Sequence, residues 1–449
     1  MATSALRYTV RNRFPGEQLL RSRGNLLRNI ELMAATDPDL AVARALTGRT
    51  ILLAKHPDLV REVLTGHPRS LRKGLGLQRT RFVLGNGLLT SEGEFHLRQR
   101  RLAQPAFHRE RIARYAEEMV ERTEACAARW RDGESLDIAR AMHHLTLDIV
   151  GRTLFGVDLQ GRAADMGRAL SAVLDSFSIW LILFGERLYD LPIPRMRRAR
   201  RAVPALDAAI YAIIAEHRAS GRDQGDLLSM LMAARDAEGD GSGMTDAQLR
   251  DEVMTLVLAG HETTANALAW TWWFLAQHPE VDARLAAEVR TVCGDRPITM
   301  AEVPSLPYTR AVFSEAMRLR PPAYATSREV VAPIVLGGQA VPVGAQVIVS
   351  PWVTQRDPRW WTEPLRFDPD RWLAPRDEPA HRLAYFPFGG GTRVCIGEQF
   401  AWTEGILVIA ALVRRWRFRL AVPAARIRPQ AAVTLRPAPG VPVVCERRP

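Results

Sequence analysis

An unbroken helical pattern from residue 245 to 277 limits what this chain can fold into more than any other feature. Thr245 and Gln248 have the spacing of a capping box, and Met244 and Leu249 are placed to staple across it. The apolar pattern then continues to Gln277, where His278-Pro279 stops it. Roughly 30 helical residues make a rod about 45–50 Å long. Such a helix crosses an entire domain and must be surrounded by it. Near its middle, Ala259-Gly260-His261-Glu262-Thr263-Thr264 puts polar groups where a buried helix should be apolar, and buried polar groups need partners or a task.

Around this rod, residues 106–290 read as mostly helical, in long alanine-, leucine- and arginine-rich segments. Valine-rich pieces at 330–336, 346–350 and 434–445 read as strands. The expected fold class is mainly α with a small β portion. No repeat or low-complexity linker divides the chain, so a single domain over 1–449 is expected, with about residues 1–13 as a disordered N-terminal segment. No run of eighteen apolar residues occurs, which predicts no transmembrane helix, and the N-terminus lacks the apolar core of a secretory signal.

The cysteines, Cys126, Cys293, Cys395 and Cys445, show no CxxC or CxxCH spacing. That argues against a zinc ribbon, covalent c-type haem attachment and a disulfide framework, and it fits a reducing cytoplasm. The formal net charge is +12, so acidic partners are attracted. Lysine occurs only at Lys55 and Lys73 among 61 basic residues. This near-exclusive use of arginine reads as a coding bias, and no nucleic-acid partner is expected. The arginine-rich run at 195–201 reads as a solvated helix face, the alternative being a contact with anionic lipid or a carrier protein.

The most informative segment is 386–400. Glycines there let the backbone approach something flat and close, and Cys395 emerges from the loop before a helical run begins. A cysteine near a helix N-terminus and beside Arg393 is expected to favour its thiolate. No GxxxxGK[ST] or GxGxxG spacing occurs, so a phosphate loop is a poor alternative.

The pattern Phe388-x-x-Gly391-x-Arg393-x-Cys395-x-Gly397 resembles the haem-binding signature of the cytochrome P450 superfamily at every fixed position. The resemblance implies one large domain enclosing haem b, with Cys395 as the axial ligand to iron, Phe388 near the sulfur and Arg393 on a propionate; thiolate ligation is the standard case for this family. Other elements resemble it in the same order. Residues 93–107 are similar to a helix whose His96 and Arg100, four apart, would bind propionates. Arg328 sits where another propionate arginine is found. Glu315 and Arg318, three apart on one helix face before Pro321-Pro322, would form a structural ion-pair network with Arg371 of the Phe367-x-Pro369-x-Arg371-Trp372 element.

Ala259-Gly260-x-Glu262-Thr263 is similar to the family's oxygen-activation motif. By that resemblance Gly260 would let the helix open locally, Thr263 would hydrogen-bond bound dioxygen, and Glu262 would relay protons from solvent. His261-Glu262 begins like a zinc-protease HExxH, but residue 265 is alanine. The implied activity is insertion of one oxygen atom of O2 into a lipophilic small molecule. Electrons would come from NAD(P)H only indirectly, through an acidic ferredoxin or flavodoxin and its reductase, because too few residues follow Cys395 for a redox domain. Pocket walls would include 71–90, 177–184, Ala259, and Ala323, Tyr324, Ala325 and Thr326. The alternatives are a peroxide-driven or isomerase-type enzyme on the same haem, and a non-catalytic haem-binding protein. Both would have less use for an acid and a hydroxyl side by side.

Overall fold

The computed structural model describes residues 4–448 apart from 13, 15–16, 157–162, 178, 237–240 and 374–378. Helix outweighs strand, 55% against 12%, as the sequence pattern predicts. The helices that position the site are α1 (Gly93–Ala103), α2 (Arg109–Ala127), α3 (Ile138–Phe155), α4 (Pro194–Ser220), α5 (Asp246–Leu275), α6 (Pro279–Cys293), α7 (Pro307–Leu319) and α8 (Glu398–Val413).

The long rod is α5, and it starts as its sequence dictates. Thr245 Oγ1 accepts from the Gln248 N–H at 3.2 Å, while Gln248 Oε1 accepts from the Thr245 N–H at 2.8 Å; the reciprocal pair satisfies donors that a helix start leaves orphaned. Met244 and Leu249 are both buried beside it. The helix packs on α3, α7 and α8. It is helical without interruption through its centre, so the local opening expected at Gly260 is not found. Gly260 instead admits α3, because a Cβ there would stand 3.2 Å from Val150 Cγ2.

α8 is buried along almost its whole length, and it crosses α7 at a glycine. A Cβ on Gly405 would overlap the ring of Phe313. Gly405→Ala is therefore expected to overpack this crossing and cost about 1–3 kcal/mol, read as a lowered Tm with helix content unchanged. An unchanged Tm would show that the two helices can slide apart freely.

The β portion is larger and more divided than the valine-rich runs suggest. Strands β1 (Leu40–Arg44), β2 (Thr50–Ala54), β3 (Leu71–Lys73), β4 (Thr326–Val330) and β5 (Gln346–Val349) form a sheet in the order β1-β2-β5-β4-β3, antiparallel except for β2–β5. β1 and β2 are buried at nearly every residue, so they lack the alternation that marks a strand with one wet face. The expected strand at 330–336 is broken at Pro333: Val330 ends β4, while Ile334–Leu336 pairs with Gln339–Val341. The expected strand at 434–445 is likewise two, Leu435–Ala438 and Pro442–Arg447, in different sheets. The β3–β4 register sets Lys73 opposite Arg328 and Arg72 opposite Glu329.

Residues 4–12, expected to be disordered, are held against both the two-stranded sheet of Ile334–Leu336 and Gln339–Val341 and the β1 strand. Ser4 bridges to Gln339, and the N–H groups of Thr9 and Val10 both donate to the Val42 carbonyl at 3.0 Å. The run at 195–201 lies on α4 as a solvated face, with Arg197, Arg198, Arg200 and Arg201 exposed and Met196, Ala199 and Ala202 buried. Among the described residues no helix is long and apolar enough to cross a membrane.

Candidate active site

The Glu315–Arg318 pair is fully buried, and its geometry matches the spacing argument. Arg318 donates to both carboxylate oxygens of Glu315 at 2.8 Å, a two-pronged contact that only a guanidinium fork makes. Arg371 Nε adds a bond to Glu315 Oε1 at 3.0 Å, and Trp372 Nε1 one to Oε2 at 3.0 Å. The remaining arm of Arg318 reaches the Gln355 and Pro364 carbonyls, each at 2.8 Å. Gln355 in turn accepts, through Oε1, from the Phe386 N–H at 3.1 Å. A continuous chain of hydrogen bonds thus runs from α7 to the start of the cysteine loop.

Within that loop the Cys395 N–H donates to the Phe388 carbonyl at 3.0 Å, and Arg100 Nη1 donates to the Val394 carbonyl at 2.8 Å. Phe388 packs on Trp402 with ring centroids 5.6 Å apart. Gly391 has φ +69°, and a Cβ there would collide with the Leu64 carbonyl oxygen. Its glycine is required by that close approach, which the sequence does not announce. Cys395 is exposed on one side, yet burial dominates its ionisation and pushes the thiol up to about 11, against a Gly397 N–H and Arg100 that favour the thiolate. Desolvation thus outweighs the nearby cation for the bare thiol. A cation bound directly to the sulfur is what would make it a thiolate.

Beside the loop, cations outnumber anions. Lys73 and Arg328 face each other across β3 and β4, an unfavourable pairing on its own; Arg393 repels both, and Arg100 acts on the neighbouring His96. Arg393 pairs with Glu92, which also accepts from the Lys73 N–H at 2.6 Å. Arg393 Nη1 and His96 Nε2 are buried with no hydrogen-bond partner. Burial, then Lys73 and Arg393, lowers the His96 pKa to about 3, so the ring is neutral. With Lys73 as an ammonium donating toward His96 Nδ1 at 3.4 Å, Nε2 carries the ring proton and needs an acceptor. Burial also lowers Lys73 to about 7 and Arg328 to about 10. The cluster has the composition of a cradle for a dianionic group, and so fits the propionates of the cofactor that the family resemblance implies.

Lys73 and Glu92 escape the sequence reading. A signal did exist: the chain's two lysines, Lys55 and Lys73, are both buried, and each ammonium binds backbone carbonyls. In a chain that otherwise uses arginine, those two positions stand out.

The centre of α5 shows a second free face. In a helix buried on all sides, Ala259, Gly260 and Thr263 retain accessible surface at a spacing that puts them together. Thr263 Oγ1 donates to the Ala259 carbonyl at 2.7 Å, so its proton is committed and its lone pairs remain available. Thr264 lies beside the fully buried Glu404 of α8, whose pKa burial raises well above the usual range, tying α5 to the helix that follows Cys395.

Glu262, expected to relay protons from solvent, has almost no direct contact with it. It is buried, with Oε1 accepting from Asn266 Nδ2 at 3.1 Å and from Thr434 Oγ1 at 2.8 Å, and Oε2 standing 3.6 Å from His143 Nδ1. Burial alone would raise its pKa. His143, His261, Arg436 and the Thr434 hydroxyl outweigh that and hold it below the usual carboxylate range. His143, with 27% of its side chain exposed, and Arg436, with 22%, are the members of this group that meet solvent.

The expected pocket segment after Pro322 is only partly a wall. Tyr324 turns into a small core with Leu27, Trp352 and Leu435, where Ala325 also packs. The Tyr324 hydroxyl donates to the Ala432 carbonyl at 2.9 Å, and this internal acceptor makes the side chain a core residue. Ala323 is exposed and Thr326 half-buried at the start of β4. Leu181 fills a cluster with Leu188, Met196 and Ala199, and Phe177 packs against it; the Phe184 side chain lies outside the described residues.

A family model described as Cytochrome P450 matches residues 37–441. The chain is 41% identical over 426 residues to "Cyclooctatin synthase" of Streptomyces melanosporofaciens, covering 94% of this chain and 92% of that protein. It is 40% identical over 397 residues to "Cyclooctat-9-en-7-ol 5-monooxygenase" of the same organism, covering 88% and 86%. Among solved structures it is similar to the cytochrome P450DA heme domain, with a TM-score of 0.87 at 27% identity over 100% of this chain and 99% of that one.

Proposed function

This chain belongs to the cytochrome P450 family, and on that premise we propose that Cys395 ligates the iron of haem b while His96, Arg100, Arg328 and Arg393 hold its propionates. Membership brings a haem iron cofactor, dioxygen and a redox partner, and the enzyme is a monooxygenase. The observation that carries the residue assignment is the pairing of a free Cys395 face with a buried cradle whose His96 Nε2 and Arg393 Nη1 have no partner. Phe388 and Gly397 flank the sulfur, and Gly391 shapes the loop that presents it.

Bound haem supplies a redox-active iron on which dioxygen is reduced and its O–O bond cleaved. The protein's part is positioning and proton supply. Glu262 is the buried carboxylate that passes protons inward, fed from solvent through His143. Thr263, its own proton given to Ala259, offers an acceptor to whatever occupies the face it shares with Ala259 and Gly260. The Glu315–Arg318–Arg371 network acts through Gln355 and Phe386 to hold the cysteine loop; its members are positioning residues.

The substrate we infer is an alicyclic terpenoid hydrocarbon or alcohol, because one relative is named for oxidising cyclooctat-9-en-7-ol and the residues sharing the α5 face offer a methyl group, a glycine and one hydroxyl. An acidic ferredoxin or flavodoxin, reduced at the expense of NAD(P)H, suits the basic surface. The protein works in the cytoplasm.

The test is the ferrous–carbon monoxide difference spectrum of haem-loaded protein, wild type beside Cys395→Ala. The red-shifted Soret band of thiolate ligation is expected in the wild type and absent from the variant. A histidine-type band in the wild type would overturn the ligand assignment. The same preparation titrated with terpenoid alcohols should show a substrate-induced spin-state shift that fatty acids do not.

A further inference from the structure

We propose that His143, His261 and Glu262 form a binding site for a zinc-class divalent cation between α3 and α5. His143 Nδ1 and His261 Nε2 are 3.3 Å apart, and Glu262 Oε2 is 3.6 Å from the same Nδ1. All three ligand atoms lie within 4.8 Å of one another. Zinc held tetrahedrally at about 2.0–2.1 Å spaces its ligands by roughly 3.3–3.4 Å, so a cation sits among these atoms after small side-chain shifts. Two imidazoles sharing a proton would need no carboxylate, and here one closes the third corner. Two nitrogens and one oxygen form the mixed donor set that zinc accepts, leaving a fourth position for water.

The surroundings orient the carboxylate ligand and fix the backbone beside the site, while His261 Nδ1 is buried with no hydrogen-bond partner among the described residues. Asn266 and Thr434 occupy Glu262 Oε1, which turns Oε2 toward the histidines. Arg436 also stands on the Oε1 side, 4.0 Å away, and so leaves Oε2 open. Thr146 Oγ1 donates to the His261 carbonyl at 3.1 Å and ties α3 to α5 beside the site. Metal centres depend on outer hydrogen bonds to orient their ligands, and the pair on Glu262 Oε1 is of that kind. His143 is the one ligand with substantial solvent contact, so the cation enters past it. Binding displaces the proton shared by the imidazoles and takes Glu262 Oε2 out of proton transfer, so zinc slows turnover. That consequence rests on the relay role proposed for Glu262; the binding does not.

Equilibrium dialysis of the haem-loaded enzyme against micromolar zinc chloride tests the site. The wild type should hold one zinc per chain beyond the amount held by His143→Ala or Glu262→Gln. Removing one ligand should weaken that zinc by at least the roughly 10–100-fold that loss of an outer partner produces. Each variant is first checked for a wild-type Soret band and helix content, with His143→Gln standing in if His143→Ala does not fold. No zinc above the variants' level, or equal affinity in all three proteins, would overturn the site. In steady-state assays wild-type turnover should fall along the zinc-binding curve. Binding without inhibition would overturn the relay consequence while the site stands.

Discussion

Glu315→Ala is expected to lower stability by about 3–5 kcal/mol, enough to leave much of the chain unfolded at growth temperature. Its carboxylate is the counter-charge of two buried guanidinium groups, those of Arg318 and Arg371, and it also accepts from the Asp368 N–H at 3.0 Å. Truncation leaves positive charge in a dry interior, where the cost is that of the stranded charge more than of any single lost bond. Glu315→Gln, which keeps the shape and one acceptor, should lie between the two. Because Arg318 continues through Gln355 to Phe386, haem retention should fall together with stability. Urea unfolding followed by circular dichroism, with bound haem measured in parallel, reads both. A loss below about 1 kcal/mol would mean that the guanidinium groups find water or other acceptors readily.

Glu262→Gln is expected to reduce kcat by about 10²-fold or more, within the range for removing a positioned acid–base group, while substrate affinity from the spin-state shift stays within a few-fold. Glutamine can still accept from Thr434 but cannot carry a proton. A kcat within a few-fold of wild type would sink the relay. The variant also has a signature in acid. Against the burial that would raise its pKa, His143, His261 and Arg436 hold Glu262 below its usual range in the folded protein. The sign for such a depressed carboxylate is fixed: its contribution to stability is present above the unfolded value of about 4.3 and is lost as pH falls through the lower folded value. Wild-type protein should therefore lose stability below about pH 4 through a component that Glu262→Gln lacks, seen as converging Tm curves on acidification.

What was legible in the sequence is what is encoded locally. Thr245 and Gln248 are three residues apart and cap one helix; Glu315 and Arg318 share one turn; Phe388, Gly391, Arg393, Cys395 and Gly397 form a single loop. What was not legible depends on partners far along the chain. Thr434 reaches Glu262 across 172 residues, and Glu92 reaches Arg393 across 301. Neither could be paired by spacing, so the partners that bury Glu262 were not foreseen and Arg393 was assigned only a propionate. Tyr324 fails for the same reason, because its role is decided by the Ala432 carbonyl. The strands failed differently. β1 and β2 are buried on both faces and lose the period of two, while Pro333 cuts a run that composition alone makes continuous.

Both lysines of the chain are inside it, Lys55 under the β1–β2 edge and Lys73 in the cradle beside Cys395. The outer positive surface is therefore guanidinium throughout. Arginine stays charged at any pH a cell offers, so this positive field does not fade as conditions turn alkaline. Acetylation and ubiquitination, which act on ε-amines, find no exposed lysine here. The positive charge of this surface is thus closed to lysine modification, and salt is what weakens its reach.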